Sequence, residues 1–127
     1  MEKDYSFVLN AIAQAIFDKK GSNILALDIR QCSSLADYVV IAEGNVDRHV
    51  IAIAQAVEQT LSNLGMTPSF REGVKTGDWI VLDYIQVMVH IFMPGMREKY
   101  QLERLWQTAE IVDVSIDVSH ERSVNAG

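Results

Sequence analysis

The stretch from Trp79 to Phe92 limits the fold of this chain more than any other. It alternates on both sides of a short centre, Trp79-Ile80-Val81-Leu82-Asp83 and then Val87-Met88-Val89-His90-Ile91-Phe92. A period of two is the pattern of strands, whose side chains point to opposite faces in turn. With Ile85-Gln86 as a two-residue loop, Tyr84 pairs with Val87, Leu82 with Val89 and Ile80 with Ile91, which makes one face uniformly apolar. The other face pairs Asp83 with Met88, Val81 with His90, and Trp79 with Phe92. The first face belongs under helices. The second is expected to lie partly open, because so short a chain has few helices to cover both sides, and an open patch of Trp, Val, Met and Phe suits a partner. The alternative is that the C-terminal helix lies across it. The loop itself is atypical, since Ile85-Gln86 lacks the glycine or asparagine that tight hairpin turns favour.

Helical periodicity brackets this hairpin. Tyr5, Val8, Ile12, Ala15 and Ile16 form a stripe over residues 4–18, closed by Lys19-Lys20-Gly21. Val46, Val50, Ile53, Ala54, Val57, Leu61 and Leu64 form a second, with Asn45 as the expected N-cap and Gly65 and Pro68 as stops. Strands are predicted at Asn23–Ile29, at the apolar run Tyr38–Ala42, which suits a central strand covered on both faces, and briefly near Ser69–Arg71. Met96–Trp106 reads as one helix, or as two short ones meeting near Tyr100, with Trp106 continuing the spacing of Leu102 and Leu105 and so expected in the core. The run from Ile111 to Val118 alternates like an edge strand. The order αββαβββα predicts an α+β (α/β-like) domain, with a mixed sheet of about five strands and helices mainly on one face. Residues 1–118 form a single domain, and 119–127 are expected to be a mobile tail.

Composition narrows the partners. Seventeen acidic residues against eleven basic ones give a net charge of −6. Nucleic-acid binding draws most of its strength from cations on phosphates, so this chain has the wrong sign, and its Lys and Arg are dispersed. Little direct RNA contact is expected; a basic protein surface is the better match. No apolar run approaches the ~20 residues of a membrane span, and no secretory signal is expected from Met1-Glu2-Lys3-Asp4. The single cysteine, Cys32, cannot close an internal disulfide, which fits a cytoplasmic protein.

Catalytic motifs are weak. His90 and Asp83 share a hairpin face but sit diagonally, with no nucleophile joining them, and a strand histidine beside Val81 is more often packing or interface. Cys32 has no local base to activate it. Gly44-Asn45 lacks the glycine pattern of a phosphate loop, and no Asp-x-Asp supplies a metal pair. No cofactor or metal is implied. Trp79 is the more informative residue, being of the type that anchors protein interfaces.

Read together, Ala36-Asp37-Tyr38-Val39-Val40-Ile41-Ala42, Gly44-Asn45, Glu72-Gly73, Gly77-Asp78-Trp79, Leu82-Asp83-Tyr84, Val89-His90-Ile91-Phe92, Pro94, Arg97, Tyr100, Leu102-Glu103 and Leu105-Trp106 resemble the ribosomal silencing factor family (RsfS, or Iojap). The likeness runs from the first helix to about Ala109. Two departures are Ile85-Gln86, where the family typically has a glycine-containing pair, and the long tail. The resemblance implies a nucleotidyltransferase-like fold without enzymatic activity. It further implies binding to the large ribosomal subunit through ribosomal protein L-fourteen, which blocks joining of the small subunit and represses translation when nutrients fall. The expected contact set is Asp78, Trp79, Asp83, Tyr84, Met88, His90, Phe92, Pro94, Arg97 and Tyr100, with Trp79 as anchor and Asp78 or Asp83 pairing with partner cations. A homodimer of the free protein over the same patch is also expected.

Overall fold

A computed structural model describes residues 5–118. The predicted mobility of 119–127 falls outside the described residues. The elements run α1 (Ser6–Asp18), β1 (Ser22–Asp28), β2 (Tyr38–Glu43), α2 (Asp47–Asn63), β3 (Phe70–Glu72), β4 (Trp79–Asp83), β5 (Val87–Phe92), α3 (Pro94–Tyr100), a 3-10 turn (Leu102–Trp106) and β6 (Glu110–Ile111). One mixed sheet holds six strands in the order β3-β4-β5-β2-β1-β6. Its single parallel pairing joins β2 to β5, side by side at the centre.

The hairpin has the predicted register: Trp79 opposes Phe92, Ile80 opposes Ile91, Val81 opposes His90, Leu82 opposes Val89, and Asp83 opposes Met88. The apolar face lies under α1 and α2, where Ile80, Leu82, Val87, Val89 and Ile91 meet Leu9, Ile12 and Ile16 of α1 and Val50, Ile53, Val57 and Leu61 of α2. Burying apolar area on this scale is the main favourable term in folding. The hairpin tip takes an unusual form. Ile85, a β-branched residue, has φ 76°, Gln86 N–H donates to the Tyr84 carbonyl, and the Gln86 carbonyl accepts the N–H groups of Asp37 and Tyr38. The turn is thus bonded to the entrance of β2, and that connection holds a backbone shape isoleucine alone disfavours.

Two local expectations are corrected. Asn45 makes no side-chain cap; Val46, in extended conformation, precedes α2, and Asn45 N–H donates instead to His49 Nδ1 at 2.8 Å. At the other end of α2 the predicted stop is present. Gly65 has φ 81°, with Met66 N–H on the Leu61 carbonyl and Gly65 N–H on that of Ser62, the paired bonds of a glycine-terminated helix.

The predicted edge strand at 111–118 shrinks to Glu110–Ile111, which pairs with Asp28 and Leu27 of β1. Beyond it the chain leaves the sheet edge and runs along α1. Ser115 N–H donates to Asn10 Oδ1 at 2.8 Å, and Gln14 takes both backbone groups of Asp117. Side-chain amides of α1 therefore replace a neighbouring strand, while Val112 and Val114 pack on the main core.

A half-covered hairpin face as candidate interface

The second face of the sheet has its own small core. Leu27, Ile29, Ala36, Val39, Ile41, Phe92 and Trp106 are buried together, with Met88, Met96, Leu102 and Trp79 packed against them. The cover comes from the C-terminal segment. Pro94 opens α3, where its fixed φ suits the first helical turn. Gln101 in left-handed conformation (φ 44°) then divides the segment into two short helices, as the break near Tyr100 anticipated. Trp106 is core, as predicted; Leu105 is not, being 66% exposed.

Arg97 bolts this cover down. Its guanidinium donates to the Asn23 carbonyl at 2.6 Å, to Glu43 Oε2 at 3.1 Å and to Glu103 Oε2 at 3.2 Å. Its side chain is only 12% exposed. The face expected to lie partly open is thus closed at one end and open at the other, and several predicted contact residues change role. Phe92 is fully buried and His90 is 5% exposed, because α3 and the 3-10 turn fold back over that end. Tyr84 is buried on the opposite face, within the core beneath the helices, since it continues the alternation of Leu82. Arg97 spends its donors internally. These four back the surface rather than form it.

The open end keeps Trp79, Val81, Asp83 and Met88 half-buried, with Asp78 beside them and Pro94 and Tyr100 exposed at the rim. Sequence reading missed Phe70, Glu72 and Leu105. β3 pairs antiparallel with β4, setting Phe70 opposite Asp83 and Glu72 opposite Val81, so both side chains point to this face. Phe70 is 51% exposed. The alternation of β4 carried that signal, but the pairing of three residues across a loop was not legible. The patch therefore reads Phe70, Val81, Met88 and Trp79, with Glu72, Asp78 and Asp83 around it.

Trp79 sits at the centre of an aromatic stack. Its ring lies 4.7 Å from that of Phe92 and 5.1 Å from that of Tyr100. Tyr100, Leu102, Leu105 and Arg104 continue from it around a hollow of about 370 Å³. A Cβ added at Gly73 (φ 79°) would stand 2.0 Å from the Trp79 carbonyl oxygen, so only glycine lets the preceding loop cross here. Asp83 uses one carboxylate oxygen to accept Ile85 N–H at 2.8 Å. The His90 ring bonds Trp79, and no hydrogen bond joins it to Asp83 among those described. Burial lowers the His90 pKa from 6.5 to about 4, against a smaller upward pull from Asp83. A histidine held neutral in this way is a poor general acid near neutrality. Tyr84 is driven the other way, to about 12, by burial and the nearby Glu58 carboxylate. Among the described residues, no cluster of three His, Cys, Asp or Glu could hold a metal ion, and no helix is long and apolar enough to cross a membrane.

Comparison with known proteins agrees with this architecture. A family profile described as "Ribosomal silencing factor during starvation" matches residues 2–126. The ribosomal silencing factor RsfS of Bacillus subtilis is 35% identical over 112 residues, covering 88% of this chain and 95% of that protein. A mouse protein named "Mitochondrial assembly of ribosomal large subunit protein 1" is 24% identical over 118 residues, 91% of this chain and 52% of that one. A crystal structure of a Chromobacterium violaceum protein superposes with TM-score 0.79 at 28% identity, covering 91% of this chain and 95% of that one. The six-stranded mixed sheet, the half-covered hairpin face and these matches lead to one assignment: the chain belongs to the ribosomal silencing factor family, a family of translation regulators that associate with ribosomes.

Proposed function

We propose that this protein silences translation by binding the large ribosomal subunit through ribosomal protein L-fourteen, blocking the small subunit sterically and without catalysis. The observation that carries this reading is the open end of the hairpin face: an apolar centre at Trp79, Phe70, Val81 and Met88, ringed by Asp78, Asp83 and Glu72. Such a surface, on a chain of net charge −6, is matched to a basic protein rather than to RNA. Family membership supplies the ribosome. The name of the mouse relative ties that protein to the large subunit, and the word starvation in the family description supports action when nutrients are short. The contact set is Asp78, Trp79, Asp83, Met88, Pro94 and Tyr100, joined by Phe70 and Glu72. Tyr84, His90, Phe92 and Arg97 support it from behind.

The test is co-sedimentation of the purified protein with large subunits, small subunits and joined ribosomes. Retention on large subunits, with fewer joined ribosomes as protein is added, is the expected result; no retention would overturn the reading. Trp79→Ala should weaken binding by about 2 kcal/mol or more, roughly thirtyfold. Unchanged binding by that variant would remove Trp79 as the anchor. When the protein is free, the same patch is expected to take a second copy, and dilution followed by light scattering measures that directly.

A further inference from the structure

His90 is a buried titratable group on the hairpin that the surface reading uses only as support from behind. It is 5% exposed, it stands on β5 opposite Val81, and its neutral form is held at a cost in desolvation. Trp79 faces Phe92 directly, so His90 is its diagonal neighbour, within reach of a long side chain. The indole leans along the strands to meet it. Trp79 Nε1 donates to His90 Nδ1 at 3.1 Å.

An indole N–H is a donor only. The accepting nitrogen must therefore be unprotonated, and the proton of the neutral ring must sit on Nε2. Nε2 is buried and has no hydrogen-bond partner among the described residues, so the ring gives up one polar contact while making the other. The stacking of Trp79 on Phe92 at 27° and its tilted contact with Tyr100 at 38° hold the ring plane. Stacking tolerates sliding and turning within that plane. The bond to His90 is the directional contact that fixes which edge of the indole points inward and which is presented outward.

We propose that His90 is a positioning residue for binding: it sets the orientation of the Trp79 indole in the free protein, so that the anchor of the partner-binding face is already arranged before the ribosome is met. This rests on the reading of that face given above. The gain is in preorganisation. A partner that must itself immobilise a large side chain forfeits part of its binding free energy, which corresponds to a loss of about three- to tenfold in affinity.

Three measurements decide it. In isotope-labelled wild-type protein, nuclear magnetic resonance should detect coupling across the hydrogen bond between Trp79 Nε1 and His90 Nδ1. Absence of that coupling overturns the proposal, whatever the variants do. Binding to purified large subunits should fall by about three- to tenfold in His90→Leu, which keeps the bulk and removes the acceptor. It should recover in His90→Asn, whose amide oxygen can accept in place of Nδ1. Equal binding by the two variants, whether both weak or both at wild-type strength, overturns the proposal, because packing alone would treat them alike. Trp79→Ala, measured alongside, separates this idea from the one beneath it. Loss of binding there with none in His90→Leu overturns the positioning role alone. No loss in Trp79→Ala overturns the face reading, and with it any role for His90 in binding.

Discussion

Acid should unfold this protein earlier than its carboxylates require, and His90 is the reason. Burial lowers the folded-state pKa of His90 to about 4, from 6.5 for an exposed histidine. Between those values the unfolded chain takes up a proton at this position and the folded chain does not. Above pH 6.5 both states are neutral here and the contribution to stability is complete. As pH falls from 6.5 to 4 it is lost, at up to about 1.4 kcal/mol per pH unit, and below 4 both states are protonated and the loss stops. Over the whole window the loss is about 3 kcal/mol, a large part of the ~5–15 kcal/mol that holds a domain folded. The perturbation is the pH itself, with His90→Leu as the reference. Urea unfolding at half-unit steps from pH 7.5 to 4, followed by circular dichroism, gives stability against pH for each protein. The variant will differ in absolute stability, having lost the acceptor for Trp79, so the comparison is between slopes. His49 and His120 are present in both and cancel. Wild type should show the steeper fall between 6.5 and 4. Parallel curves would mean that His90 takes its proton as easily folded as unfolded, and the account of a buried neutral ring would be wrong. Asp28, whose carboxyl is held below its ordinary 3.8 by the hydrogen bond from Arg30, acts in the same direction only at lower pH and lies outside the window.

Two further outcomes follow from the supports of the same face. Gly73→Ala drives a Cβ into the Trp79 carbonyl oxygen at a backbone angle that alanine disfavours, and should cost about 3 kcal/mol in urea unfolding; a loss below ~1 kcal/mol would show that the loop shifts freely. Arg97→Met leaves Glu43 and Glu103 without their shared cation and should cost about 2 kcal/mol, with α3 becoming cleavable by protease before the rest of the domain. Uniform resistance across the chain would refute the view that Arg97 holds that cover.

The parts legible in the sequence were those governed by local period. The hairpin register followed from alternation alone, because a two-residue loop leaves one way to make a uniformly apolar face, and the stripe of α2 placed Val50, Ile53, Val57 and Leu61 in the core. The half-covered face was only half legible for a physical reason. Whether Phe92 and His90 are surface or interior depends on Trp106 and Arg97 reaching back to β1 and β2, contacts that no local pattern encodes. Leu105 departs from the spacing: Leu102 and Trp106 pack on the second core, while Leu105 between them is exposed to solvent. Ile85 kept the register while breaking the turn rule, since the bonds from Asp37 and Tyr38 to the Gln86 carbonyl hold the tip in place.

The strap formed by the last described residues has a bearing on how the chain is made. Ser115 and Asp117 are tied to Asn10 and Gln14, partners separated by 103 to 105 positions, and Val112 and Val114 fill places in the core beside elements synthesised first. A polypeptide emerging from the ribosome therefore cannot complete this domain until nearly all of it has left the exit tunnel. Until then the edge of β1 and the flank of α1 wait uncovered, as the sticky surfaces of an unfinished intermediate. A domain of a ribosome-regulating family thus depends for its native state on late-made residues closing over the first helix to emerge.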